Sequence, residues 1–79
     1  MQKQYSVVFL AAKPKWHDES YGPFSSFEEA FNWAEGQSSL QALNYGGQTE
    51  ISSDQKLISL NKIGDWMILP FFSPNPNNF

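Results

Sequence analysis

The stretch Ser25-Ser26-Phe27-Glu28-Glu29-Ala30-Phe31-Asn32-Trp33-Ala34-Glu35-Gly36 decides how the rest of the chain is read. Phe27, Ala30, Phe31 and Ala34 recur at i, i+3, i+4 and i+7, which sets four apolar side chains on one helical stripe about 100° wide. Such a stripe has to be buried against another layer. Ser25 or Ser26 can cap the start, and either choice leaves a glutamate three residues on, Glu28 or Glu29, to close a reciprocal capping box. Gly36 is read as the left-handed residue that stops the helix. Trp33 falls about 120° from the centre of the stripe on a wheel anchored at Phe27. It is expected either to flank the core by packing on a turn around Leu40 and Leu43 or to be a contact residue.

Upstream, Tyr5–Ala12 is β-branched and aromatic and apolar at both parities, the pattern of a central strand with both sheet faces covered in part. Residues 13–24 have no period and contain two prolines and a glycine, so they read as a long connection. Trp16, His17 and Tyr21 there either tuck against the edge of the core or form a recognition loop. Downstream, Ser38 and Gln41 mark a second, short helix closed by Gly46-Gly47. Residues 48–52, 55–61 and 65–72 then read as strands joined by polar turns, with Pro70 ending the last strand or placing it at a sheet edge.

The expected fold is therefore α+β: an antiparallel sheet of about four strands, in the chain order β, α, short α, β, β, β, with one main helix packed on one face. Residues 1–72 form the single domain, and 73–79 form a polar, proline-punctuated, flexible C-terminal tail. A helix of about ten residues, roughly 15 Å long, cannot cover such a sheet. Apolar sheet surface is left over, and a homodimer through it is expected as the alternative functional reading.

Composition narrows the chemistry. The 79 residues include no cysteine, which removes disulfide frameworks and thiolate metal sites and makes the cytoplasm the default location. No segment approaches the roughly 18–20 apolar residues that span a bilayer, so no membrane association is expected. His17-Asp18-Glu19 is the one cluster of ligand-type residues, and three consecutive residues do not readily converge on an ion; no metal and no cofactor are expected. A lone histidine with no nucleophile motif argues against an enzyme. Gly46-Gly47 lacks the Lys-Ser/Thr of a phosphate loop and is read as a turn.

Charge is segregated along the chain. Residues 1–15 hold Lys3, Lys13 and Lys15; residues 16–55 hold Asp18, Glu19, Glu28, Glu29, Glu35, Glu50 and Asp54 without one base; residues 56–79 hold Lys56, Lys62 and Asp65. The absence of arginine, with the acidic middle, argues against direct nucleic-acid binding. A protein partner fits better. Asp18, Glu19, Glu28, Glu29 and Glu35 would meet a basic surface, with Trp16, Tyr21 and Trp33 as aromatic anchors. Their bland alternative is a solvated face, with Glu28 and Glu29 complementing the helix dipole.

A small, acidic, cysteine-free chain with a sheet, one helix capped by Ser-Ser-Phe-Glu-Glu and no catalytic motif resembles the small phage-borne inhibitors that include anti-CRISPR proteins. The resemblance is one of layout and charge over the whole chain. It implies a non-enzymatic inhibitor that occludes the basic, nucleic-acid-handling surface of a larger protein or nucleoprotein complex.

Overall fold

The computed structural model describes residues 2–12 and 17–73, with Gln2 and residues 71–73 described by backbone alone. Trp16 and residues 74–79 of the expected tail lie outside the described residues, while Ser73, expected to open the tail, is the last residue of β5. The element order is β1 (Gln2–Ala11), β2 (Glu19–Phe24), α1 (Phe27–Tyr45), β3 (Thr49–Ile51), β4 (Leu57–Leu60) and β5 (Gly64–Ser73). The strands form one antiparallel sheet in the order β2-β1-β5-β4-β3, and α1 packs on one face. The α+β class is as expected; the details differ in three places.

The first difference is a fifth strand. Glu19–Phe24, read as part of a loop, pairs with β1 at the sheet edge through Val7↔Tyr21, Val8↔Ser20 and Phe9↔Glu19. The two steps along β1 from Tyr5 to Val7 are matched by three along β2 from Phe24 to Tyr21, so a bulge falls at Gly22-Pro23. An edge strand tolerates a proline and a bulge, and both keep further strands from adding there. The Ala11 N–H donates to Asp18 Oδ1 at 2.7 Å and closes the connection between the two strands.

The second difference concerns the helix, which runs through Gly36 to Tyr45 as one element of 19 residues, replacing the expected main helix and short second helix. Ser26 is the N-cap and accepts from the Glu29 N–H at 3.1 Å, while Ser25 Oγ donates to Glu29 Oε2 at 2.7 Å. The carboxylate thus returns to the hydroxyl next door, a variant of the capping box. The stop is Gly46, at φ 75°, whose N–H donates to the Ala42 carbonyl. Gly36 has no left-handed φ, and a Cβ there would meet nothing within 4 Å.

Pro70 is the third difference: β5 continues through it to Ser73 and lies between β1 and β4. The Ile68 N–H points toward β4 and donates to the Lys56 carbonyl. Two residues on, the Pro70 nitrogen faces the same side, beyond the last β4 pair at Leu57↔Met67, so no ladder bond is lost there.

The core lies between α1 and the sheet. Val7 and Phe9 of β1, Ile58 and Leu60 of β4, Trp66 and Ile68 of β5, and Ile63 meet Ala30, Phe31 and Ala34 of the helix. The stripe read from the sequence is therefore the buried one, extended by Ser38, whose hydroxyl donates back to the Glu35 carbonyl at 2.9 Å. Small residues at 30 and 34 let the helix sit close to the sheet. In the β3–β4 turn, Asp54 Oδ1 accepts from Ser52 Oγ at 2.7 Å and from the Lys56 N–H at 3.0 Å. Those two donors, the serine first, hold its carboxyl below the usual carboxylate range.

Two glycine substitutions should move stability in opposite directions. Gly64 has φ 157°, and a Cβ there would lie 2.4 Å from the Leu10 carbonyl oxygen and 2.8 Å from the Phe9 ring. Gly64→Ala is expected to cost about 2–3 kcal/mol by strain and overpacking, whereas Gly36→Ala should add about 0.5–1 kcal/mol by helix propensity. Urea unfolding of both variants beside the parent checks the signs.

Candidate functional site

Two arrangements of functional side chains emerge, one aromatic and one acidic. Tyr21 on β2 faces the helix side of the sheet, beside Val7 and near Trp66. Trp33 of α1 comes down over it with ring centroids 4.8 Å apart, lies 5.5 Å from Phe24 and meets Trp66 edge-on at 5.9 Å. Trp66 also packs on Phe9 at 4.8 Å, and its indole N–H donates to Gln41 Oε1 at 2.8 Å. Phe27 and Tyr5 extend the set with an edge-on contact at 5.7 Å.

This cluster corrects the expectation for Trp33. It does not pack on Leu40 and Leu43; it is half-buried against β2, a strand that the sequence reading did not contain. Tyr21 is likewise half-buried, and its hydroxyl donates to Glu19 Oε2. The bond to Glu19, then burial, then the negative charge of Glu19 push the Tyr21 hydroxyl up to about 12. Both rings pack against neighbours within the molecule while each keeps part of its surface exposed.

The five predicted acids are all exposed, and they divide by role. Asp18 accepts from the Ala11 N–H, Glu19 from Tyr21 and Glu29 from Ser25, so each supports local structure. Glu28 sits in the first turn of α1, where its charge complements the helix dipole, and Glu35 stands at mid-helix. The helix from Phe27 to Tyr45 contains no basic residue.

Sequence reasoning missed the apolar part of that outer surface. Leu43 is 81% and Leu40 54% exposed, three residues apart on α1. The helical period already sets both leucines on the side opposite the buried stripe; reading them as a turn of a separate short helix for Trp33 to pack on is what hid them as outer surface.

A second surface is the sheet face opposite the helix. Strand parity places Val8 and Leu10 of β1, Met67 and Leu69 of β5 and Leu57 of β4 there, with Leu57↔Met67↔Val8 forming a continuous cross-strand row. Leu10 is 40% and Leu69 41% exposed. Ser59 Oγ donates to Asp65 Oδ1 at 2.6 Å on the same face. At the far edge Gln48, Thr49, Glu50, Ser59 and Asn61 line a shallow polar depression.

Among the described residues no group of three or more His, Cys, Asp or Glu side chains converges to hold a metal ion, and no helix is long and apolar enough to cross a membrane. No buried side-chain nitrogen or oxygen among them lacks a hydrogen-bond partner.

Tyr21 supplies a direct check on this geometry. Its folded pKa is raised above the unfolded value of about 10, so the stability it contributes is fully present below pH 10 and is lost as pH rises from there through about 12. Ultraviolet titration should show one tyrosine ionising late, and Glu19→Gln should bring that ionisation to lower pH. A titration unchanged by Glu19→Gln would mean that the bond to Glu19 does not hold the proton.

Comparison of the chain with family models, with curated proteins and with solved structures found no match.

Proposed function

We propose that the protein is a non-enzymatic protein-binding module of the cytoplasm that occludes a basic, nucleic-acid-handling surface of a larger protein complex, in the manner the resemblance to small phage-borne inhibitors implies. One observation carries the reading: the exposed side of α1 combines Glu28, Glu29 and Glu35, with no base on the helix, and two outward leucines, Leu40 and Leu43. Carboxylates steer encounter with a basic surface, and apolar anchors set how long the complex lasts. The leucines are the more exposed anchors, since Tyr21 and Trp33 are half-buried in ring contacts with β2, α1 and Trp66. Asp18 and Glu19 add charge at the β2 edge without being free of structural duty.

The test uses a partner recovered by pull-down from a native extract and measured again in purified form. Glu28→Lys with Glu35→Lys should slow association at least tenfold at low salt and flatten its salt dependence, since neither residue holds the cap. Leu40→Ser with Leu43→Ser should mainly raise the dissociation rate. Melting curves beside each binding curve separate folding from recognition. Folded charge-reversed variants that associate at unchanged rates at low salt would make the acids a solvated face and end this reading.

A second reading, an assembly subunit that pairs through the helix-free sheet face, is favoured by the half-exposed Leu10 and Leu69 flanking the Val8, Met67 and Leu57 row. Light scattering over a wide concentration range decides it. A monomer throughout removes self-association.

A further inference from the structure

Gly36 lies inside α1 at a position where the isolated fold does not require a glycine. A glycine inside a helix is less favourable than alanine by roughly 0.5–1 kcal/mol. Such a residue is retained where the backbone needs a left-handed φ or where another group crowds its Cα. Gly36 meets neither condition: it has no left-handed φ, and a Cβ would meet nothing within 4 Å. The space that its missing side chain leaves opens outward.

The neighbours of that space are the exposed residues. At about 100° per residue, Glu29, Gly36, Leu40 and Leu43 fall within an arc of about 60° opposite the buried stripe of Ala30, Phe31, Ala34 and Ser38. From Glu29 to Leu43 the strip runs about 21 Å, three to four turns of helix. Its upper end carries Glu29, with Glu28 and Glu35 on the flank about 100° round the helix from it; its lower part is apolar, with Leu40 and Leu43; the bare backbone of Gly36 lies between.

We infer that this strip is the seat of a basic amphipathic helix from a partner protein, which crosses α1 in close contact at Gly36, rests its apolar side on Leu40 and Leu43 and directs lysine or arginine side chains to Glu28, Glu29 and Glu35. The inference rests on the proposed protein-binding function and names the partner's chemistry. Charge selects the occupant. A second copy would bring Glu29 to the strip and Glu28 and Glu35 to its flank on a helix that holds no cation, and in an antiparallel crossing would set Glu29 against Leu43. Length and shape select a helix, since a rod laid along a helix meets residues spaced by seven and four, and an absent side chain at the crossing lets two axes approach more closely than the usual 8–10 Å.

The probe is a fluorescently labelled peptide of leucine and lysine, about 20 residues long to favour a helix in water, with all leucines on one helical face. A control peptide has the same composition with its leucines scattered around the wheel. Binding is read by anisotropy, with a melting curve for each variant. The face-ordered peptide is expected to bind at least tenfold more tightly than the scattered one. Gly36→Ala should weaken it about fivefold or more although the variant melts higher, and Gly36→Leu should abolish binding while the protein stays folded. Stability and binding then move in opposite directions, which a purely structural role for Gly36 would not produce.

Gly36→Leu binding as tightly as the parent, or more tightly through its added apolar area, would overturn the close crossing; so would equal binding of the two peptides. If Leu40→Ser with Leu43→Ser and Glu28→Gln with Glu35→Gln still weaken binding in that case, the broader reading of the strip as a protein-binding surface stands. Failure of the parent to bind either peptide, or binding indifferent to all of these substitutions, removes both.

Discussion

The indole of Trp66 is the point on which the two layers are registered. It is almost wholly buried beneath α1, its face packs on Phe9, and its N–H reaches across the layer boundary to Gln41 Oε1. A buried indole donor without an acceptor would cost about 1–3 kcal/mol. Gln41 must therefore face the sheet, and with it the whole helical phase is set: Ala30, Phe31, Ala34 and Ser38 point in, and Gly36, Leu40 and Leu43 point out. Tyr21 and Trp33 close over the same indole and tie the edge strand β2 and the middle of α1 to it.

That arrangement decides which side chains are left for recognition. A chain of this size has few large apolar residues, and the core uses most of its aromatic ones between helix and sheet. Asp18 and Glu19 at the β2 edge and Glu29 at the helix start are held by hydrogen bonds to Ala11, Tyr21 and Ser25. Among the described residues, what stays uncommitted is the outer surface of α1 apart from Glu29 and the helix-free face of the sheet. The first combines charge of one sign with exposed leucines and an unexplained glycine; the second is apolar and half-exposed. Exposed leucine is common on proteins taken singly, whereas adjacent leucines beside an uncompensated acidic run form a patch with a defined complement.

The α+β class, the inward stripe of the helix and the antiparallel meander after it were legible because period and turn chemistry report them directly. Gly36 misled because a glycine after a run of good helix formers is a common stop signal, and only tertiary burial of Ser38, Gln41 and Ala42 carries the helix past it. The true stop, Gly46, was visible but attached to the wrong element. Strand β2 was hidden because Gly22 and Pro23 are loop residues by any local rule; an edge strand with a bulge is one of the few places where a strand accommodates them. Missing β2 also displaced Trp33, whose packing partners Tyr21 and Phe24 lie on that strand. Of the expected site, the acids are exposed as anticipated, while Tyr21 and Trp33 are half-buried in ring contacts and the outward leucines of α1 are Leu40 and Leu43.

Native-state hydrogen exchange of the tryptophan indole N–H groups tests the registration directly. If Trp66 holds the layers through Gln41, its indole proton should exchange only through global unfolding, with a denaturant dependence equal to that of the whole protein, and Gln41→Leu should remove much of that protection. An indole of Trp66 that exchanges through local opening, at a rate insensitive to denaturant and unchanged by Gln41→Leu, would contradict the account and release the helix from the phase on which its outer strip depends.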